Sequence, residues 1–163
     1  MTIEIHRVRS DRDFARLRDL FIAYENELIP ELRHGSVPEI EELKPACSGP
    51  HSAFLAVDER AVGCVAVRRF DTRTAVVRHL FVEPSARGAG AARALVTAAI
   101  EFAKNGGCER VVLDTAKKYL PAAYRLYLSF GFTECEPYMD VNYRCPTFME
   151  LRLDGGPGDG GNG

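Results

Sequence analysis

The sequence feature with the most specific chemistry is a glycine-containing turn between a predicted strand and a predicted helix. Residues 79–96 read HLFVEPSARGAGAARALV, with Gly88 and Gly90 just before the helical part. Glycine lets the backbone come close to a ligand. The first N–H groups of a helix have no partner within it, and they lie at the positive end of the helix dipole. The turn is therefore predicted to bind an anion, and a diphosphate is the obvious ligand.

Spacing distinguishes three nucleotide-binding interpretations of this turn. A Walker A loop requires GxxxxGK[ST], which the sequence lacks. A Rossmann GxGxxG motif would need its third glycine at the position of Arg93, and its strand normally opens the sheet, whereas this strand follows a predicted meander. The third interpretation is the pattern RxxGxG/A, with the variant RGxGxA, at a strand-to-helix turn after an antiparallel meander.

A second motif follows in the later part of the chain. Residues 123–132 read AYRLYLSFGF, which is similar to the pattern AxxLYxxxGF. Together, and in this order, the two motifs resemble the signatures of the GCN5-related N-acetyltransferase (GNAT) family. The segments EPY at 136–138 and FMEL at 148–151 look like the closing strands of small acetyltransferases. The resemblance therefore covers residues 3–153.

The resemblance implies acetyl-CoA as the co-substrate. In such proteins the strand before the turn splays from its parallel neighbour, and the pantetheine arm pairs with the backbone of that strand, here Leu80, Phe81 and Val82. The Arg87 side chain would lie near the phosphates. The pyrophosphate would rest on the turn amides, those of Arg87, Gly88, Ala89, Gly90, Ala91 and Ala92.

The resemblance also implies catalytic roles. Tyr127 matches the tyrosine that acts as general acid towards the leaving thiolate, and a thiol pKa of about 8.5 makes this help modest. The oxyanion would face a backbone N–H near Val82. Deprotonation of the acceptor is the harder step, because the pKa of an alkylammonium group is about 10.4.

The general base is left open by the sequence. Family members often carry a glutamate early in the fourth strand, where this chain has TAVV at residues 74–77. Glu83 is the candidate base adopted here, and His79 and the acids of residues 24–42 are alternatives. His79 also fits an ordinary strand histidine, and the clustered glutamates fit either a solvated face or a funnel for a cationic amine. Leu120 stands where the family often has an asparagine that contacts the cofactor.

Hydrophobic periodicity predicts the elements that position both motifs. Ser10 and Asp13 predict the start of a helix that Pro30 stops, and Pro121 and Gly131 bound a later helix. The expected fold is α/β (α+β mixed) and GNAT-like, with a central mixed, mostly antiparallel sheet of 6–7 strands and about four helices. Predicted strands cover residues 3–8, 54–57, 61–69, 74–82, 111–113, 132–136 and 148–153, with a long helix ending at 105 and a short one at 39–43.

Composition predicts one soluble domain over residues 1–153 and a disordered Gly-rich tail over 154–163, which holds six of the 14 glycines. A net charge of −2 gives no basic excess for nucleic acid, and no apolar run approaches the ~18–20 residues of a membrane span. The N-terminus has no signal-peptide pattern. Five cysteines without a CxxC pair, and no histidine cluster, predict reduced thiols, a cytoplasmic location and no metal.

The sequence thus predicts an N-acetyltransferase that moves acetyl from acetyl-CoA to a primary amine by direct attack in a ternary complex. The alternative is a non-catalytic acyl-CoA-binding module, suggested by the missing strand glutamate, and a dinucleotide-binding protein is third. The acceptor is a small-molecule or peptide amine that the sequence does not specify. Closing strands in such folds often pair across dimers, so a homodimer stays open.

Overall fold

A seven-stranded sheet organises the chain. The computed structural model describes residues 2–32, 51–141, 143 and 145–153. The strands lie in the order β1-β2-β3-β4-β5-β7-β6. They are β1 (Glu4–Arg7), β2 (Ser52–Asp58), β3 (Arg60–Arg69), β4 (Thr74–Val82), β5 (Arg110–Thr115), β6 (Thr133–Glu134) and β7 (Thr147–Arg152).

Three α-helices accompany the sheet in the described part of the chain. They are α1 (Asp11–Glu27), α2 (Ala91–Asn105) and α3 (Pro121–Phe130). The mixed α/β class and the mostly antiparallel sheet are confirmed. The short helix expected at residues 39–43, and the tail expected to be disordered, lie outside the described residues. None of the described helices is long and apolar enough to cross a bilayer.

Local signals explain where the helices begin and end. Ser10 caps α1, because its hydroxyl accepts from the Asp13 amide at 3.1 Å while the Asp13 carboxylate accepts from the Ser10 amide. Pro121 opens α3, and Gly131 closes it with a φ of 99°, a left-handed conformation that glycine adopts without steric cost.

The hydrophobic core lies on both faces of the sheet. Alternate strand residues point to opposite faces. Leu55 and Cys64 accordingly pack with α1, whereas Val65, next to Cys64, packs with α2. Leu95 on α2 is fully buried, and burying a leucine side chain contributes about 1.5–3 kcal/mol. The sheet is thereby clamped between α1 on one face and α2 and α3 on the other.

Strands β4 and β5 form the one parallel pair among the described strands, and they soon separate. Their pairing runs from Thr74 with Arg110 to Val76 with Val112 and then ends. Beyond that point β5 continues to pair with β7 up to Thr115. Within the described part of the chain, the β5-facing edge of β4 therefore has no strand partner over residues 77–82.

A bulge re-aims β4 next to this gap. Cys64 faces Phe81 and Ala66 faces Arg78, so Val65 alone faces two residues of β4. One of them, His79, has a φ of 59°, which is rare for a residue other than glycine. The Cys64 thiol, whose pKa is raised by burial, donates to the His79 carbonyl at 3.4 Å. His79 is thus a bulge residue, not the ordinary strand histidine that the sequence also allowed.

Candidate active site

A cavity of ≈ 640 Å³ opens where β4 and β5 separate. This volume lies within the range of small-molecule sites. Residues 77–82 of β4 line one side, and Asp114 and Thr115 of β5 line the other. The start of α2, the start of α3 and the end of α1 complete the wall. The cavity is thus built from the elements that carry both sequence motifs.

The glycine turn forms one end of the cavity. Gly88 and Gly90 have φ values of 89° and 85°, and Gly90 is the N-cap of α2 with no side-chain cap. A Cβ added at either position would meet nothing within 4 Å, so the backbone conformation, not crowding, favours glycine there. The first residues of α2, Ala91 and Ala92, line the cavity and have no side-chain cap before them, as an anion site requires. Of the six turn residues predicted to bind the cofactor, all but Ala89 line the cavity.

The Arg87 side chain connects the turn to two neighbouring elements. Its Nε donates to the Val82 carbonyl at 2.8 Å, and its Nη2 is paired with the Glu27 carboxylate at the end of α1. The sequence predicted this side chain near bound phosphates. In the structure its donors hold the end of β4 and α1 together, because those two acceptors lie within reach of the turn.

The predicted pantetheine strand lies along the cavity. Leu80, Phe81 and Val82 all line it, on the strand whose β5-facing edge is unpaired. Phe81 also packs against Tyr24 of α1, with ring centroids 5.6 Å apart. Exposed strand-edge N–H and C=O groups pair readily with an extended ligand. The backbone of this segment is therefore suited to an amide-bearing arm.

Tyr127 projects from α3 into the cavity wall. Its side chain is buried and packs against Phe132, with ring centroids 5.8 Å apart. Burial, and then the charges of Tyr24 and Asp114, raise the pKa of the Tyr127 hydroxyl. No residue in the described part of the chain makes a hydrogen bond to that hydroxyl. It is therefore a protonated donor that faces the cavity.

Glu83 is placed elsewhere by the structure. Its two carboxylate oxygens pair with the Arg60 guanidinium at 2.7 and 2.8 Å, at the β2–β3 hairpin. It is not among the residues that line the cavity. The predicted base therefore lies outside the cavity wall in this structure, because the residue follows the last residue of β4 and turns to the neighbouring hairpin.

His79 does line the cavity, and it does so from the bulge. Its ring is buried against Phe21, with centroids 4.4 Å apart, and approaches Tyr24 at 6.3 Å. Leu120, the expected departure from the family pattern, is the N-cap residue of α3 and also lines the cavity. Because its side chain is apolar, it makes no hydrogen bond that would cap the helix.

Asp114 was missed by sequence reasoning. It lies near the end of β5 and lines the cavity. Its Oδ1 accepts from Tyr138 at 3.2 Å and its Oδ2 from Tyr143 at 2.6 Å. An acid inside the apolar run of β5 was the only signal in the sequence, and the two tyrosines that mark its importance lie far along the chain.

The comparison with known proteins identifies the family. A model of the Acetyltransferase (GNAT) family matches residues 14–132. The chain belongs to the GNAT family. It is 35% identical over 157 residues to an uncharacterised N-acetyltransferase of Schizosaccharomyces pombe, and the match covers 93% of this chain and 94% of that protein. The resemblance drawn from the two motifs is thereby confirmed, and the chain is an acetyl-CoA-dependent acetyltransferase.

Solved structures of GNAT proteins share the fold. A GNAT acetyltransferase of Staphylococcus aureus aligns with a TM-score of 0.75 at 19% identity, over 93% of this chain and 99% of that one. A putative acetyltransferase of Salmonella typhimurium, solved with acetyl-CoA, aligns with a TM-score of 0.75 at 20% identity, over 94% of this GNAT chain and 95% of that one. The fold of this chain is therefore shared with GNAT acetyltransferases, one of which was solved with acetyl-CoA.

Proposed function

We propose that this GNAT protein transfers acetyl from acetyl-CoA to a primary amine by direct attack within a ternary complex. The observation that carries the proposal is one cavity that joins three features. These are an uncapped helix start, an unpaired strand edge and a buried tyrosine hydroxyl. An anion, an amide-bearing arm and a leaving thiolate would each find a complementary group there.

The cofactor would lie along the turn and β4. Its pyrophosphate would accept hydrogen bonds from the turn amides at the start of α2, where Gly88 and Gly90 keep the backbone accessible. Its pantetheine amides would pair with the edge of β4 at Leu80, Phe81 and Val82. The thioester would then lie beyond Leu80, at the end of this segment that is farther from the turn. A backbone N–H of the unpaired strand edge would stabilise the oxyanion there.

An acceptor that binds as an ammonium ion must first release one proton to solvent, because an ammonium nitrogen has no lone pair. The neutral amine nitrogen then attacks the thioester carbonyl, the N–C bond forms and the C–S bond breaks, and the nitrogen loses a second proton while the sulfur gains one. Tyr127 would donate its hydroxyl hydrogen bond to the departing sulfur. Because the pKa of this hydroxyl is raised by burial, it serves best as a hydrogen-bond donor and contributes less as a full proton donor. No cysteine lies among the described residues of the cavity wall, which supports direct transfer.

Ligand-dependent unfolding tests the cofactor part of the proposal. A ligand present at 100 times its Kd stabilises the folded protein by about 2.7 kcal/mol. We expect acetyl-CoA and CoA to raise the Tm, and NAD and ATP to leave it unchanged. Stabilisation by NAD but not by CoA would contradict the proposal.

The chain offers a matched control for the turn. Gly90 and Gly107 both have a φ of 85° and both have open space where a Cβ would lie, but Gly107 is not part of the cavity wall. Gly90→Glu should abolish the Tm increase with CoA, because it adds a negative charge where phosphates would bind. Gly107→Glu carries the same backbone strain and charge and should keep the increase. Equal responses of the two variants would refute the assignment of the turn.

A further inference from the structure

The cavity wall holds one carboxylate that makes no ion pair with the residues that the structure describes. Two carboxylates line the described cavity wall, Glu27 and Asp114. Glu27 is paired with Arg87. Asp114 makes no ion pair in the described part of the chain, and its two partners are the neutral hydroxyls of Tyr138 and Tyr143. A negative charge that faces a cavity in this way is complemented by a cation.

The two tyrosines hold Asp114 in a fixed orientation. Tyr138 is itself held by edge contacts to Phe148 at 5.2 Å and to Phe70 at 5.8 Å. Tyr143 reaches the other carboxylate oxygen at 2.6 Å. Burial, and then the Asp114 charge, raise the pKa of both hydroxyls, so they remain donors to the carboxylate. The carboxylate is therefore oriented before any substrate arrives.

Tyrosines from several elements share the cavity wall or a hydrogen bond with the carboxylate. Tyr24 on α1 and Tyr143 line the same cavity, and the Asp114 charge acts on the hydroxyls of Tyr24 and Tyr127. Aromatic faces attract an ammonium group, and a carboxylate among them adds a charge-assisted hydrogen bond. The combination is suited to an organic cation and poorly suited to an anion.

Arg78 is one of the cations in the cavity wall. It lies on β4, lines the cavity, and its charge acts on Tyr24 and Tyr138. The contacts that the described residues make with Asp114 are the two tyrosine hydroxyls and include no ion pair with Arg78. The Arg78 charge opposes a cation in this wall, and His79 lines the same wall from the bulge.

We propose that Asp114, oriented by Tyr138 and Tyr143, is the acceptor-binding residue, and that the acceptor enters as an alkylammonium ion bound by this carboxylate. The inference rests on the proposed acetyl transfer to an amine and names the substrate class of that site. Tyr127 lines the same cavity as Asp114, so an ammonium group bound by the carboxylate would lie in the cavity that holds the Tyr127 hydroxyl. Tyr138 and Tyr143 act through Asp114 and are positioning residues.

The test compares charged and uncharged acceptors. Benzylamine is a cation near neutral pH and aniline is neutral, so a panel of such matched alkylamines and arylamines separates charge from shape. In Asp114→Asn, the acceptor KM for alkylamines should rise about ten- to a hundredfold, as expected for loss of a charge-assisted hydrogen bond. The KM for arylamines should change less than about twofold, and the Tm increase with acetyl-CoA should be unchanged.

Glu134→Gln provides a matched control. Glu134 also accepts from a tyrosine, Tyr124 at 2.7 Å, but it does not line the cavity. Its substitution should leave the KM of both amine classes unchanged. Tyr143→Phe should raise the alkylamine KM less than Asp114→Asn and leave kcat nearly unchanged.

The outcomes separate the inference from the proposed function. Equal losses with both amine classes in Asp114→Asn, or no loss with either class, would overturn the role of Asp114. A wild-type protein that acetylates arylamines but no alkylamine would overturn it as well. A wild-type protein that acetylates no amine of the panel would refute the proposed function, and the inference with it. If Asp114→Asn lost activity with alkylamines and also lost the acetyl-CoA-dependent Tm increase, the role of Asp114 would be structural, and the inference would also be overturned.

Discussion

Replacement of Tyr127 by phenylalanine tests the part of the account that concerns the leaving group. The substitution removes one hydroxyl and keeps the ring contact to Phe132 at 5.8 Å. No hydrogen bond within the described part of the chain is lost, so the free energy of unfolding should change by less than about 1 kcal/mol. Any larger kinetic effect therefore reports the hydroxyl itself.

The expected kinetic loss follows from the charge on the leaving sulfur. A hydrogen bond to a charged group contributes about 1.5–3 kcal/mol. At ~1.36 kcal/mol per tenfold in rate, kcat should fall about 10- to 150-fold. The KM for acetyl-CoA should hardly change, because the turn and β4 are untouched. Residual activity is expected, because the thiolate is a good leaving group.

The assay is CoA thiol release at saturating acetyl-CoA with an amine that the panel identifies. Tyr124→Phe is the control, since Tyr124 lies on the same helix but its hydroxyl is bonded to Glu134 at 2.7 Å outside the cavity. That variant should keep wild-type kcat. A fall of less than about twofold in Tyr127→Phe, or the same fall in both variants, would refute the role of the hydroxyl.

Three further predictions concern other parts of the molecule. Glu83→Gln should change the rate of acetyl transfer less than about twofold and lower the free energy of unfolding by at most ~1 kcal/mol, because Glu83 pairs with an exposed Arg60. A larger fall in kcat would support Glu83 as the base. Leu95→Ala should cost about 2.7–5 kcal/mol in urea unfolding, because Leu95 is fully buried, and a loss below ~1 kcal/mol would contradict that packing. Burial raises the pKa of Asp13, but backbone hydrogen bonds from Arg9 and Ser10 lower it, and the net change is a lowered pKa. The stabilisation by the Asp13 carboxylate is therefore present above the pKa of the unfolded state and is lost as the pH falls through the pKa of the folded state. Asp13→Asn should therefore reduce the acid-side slope of stability against pH, and an unchanged slope would contradict the capping geometry.

Elements with strong local signals were predictable from the sequence. The bounds of β4, the end of α2 at Asn105 and the limits of α3 at Pro121 and Gly131 all agree with the structure. Caps, prolines and glycines act over a few residues, so a single sequence contains what they determine. The glycine turn belongs to the same class, since its conformation and its helix are adjacent in the chain.

Features that depend on contacts between distant residues were not predictable. Glu83 looked like a candidate base beside the turn, but its carboxylate pairs with Arg60, a residue 23 positions away. Asp114 directly follows the predicted strand at residues 111–113 and was assigned no role from the sequence, and its hydrogen bonds from Tyr138 and Tyr143 appear only in the fold. The sequence alternation of β4 likewise carries no sign of a bulge, which arises from the register against β3.

The central claim is that the cavity between β4 and β5 moves acetyl directly from acetyl-CoA to an amine. The most direct test is mass spectrometry of the reaction with carbon-13-labelled acetyl-CoA, in which the amine and the intact protein are both weighed. The account predicts labelled N-acetyl amine with wild type and Gly107→Glu, none with Gly90→Glu, and no labelled acetyl on the protein. A labelled acetyl-enzyme that forms before product, or product formation that survives in Gly90→Glu, would contradict it.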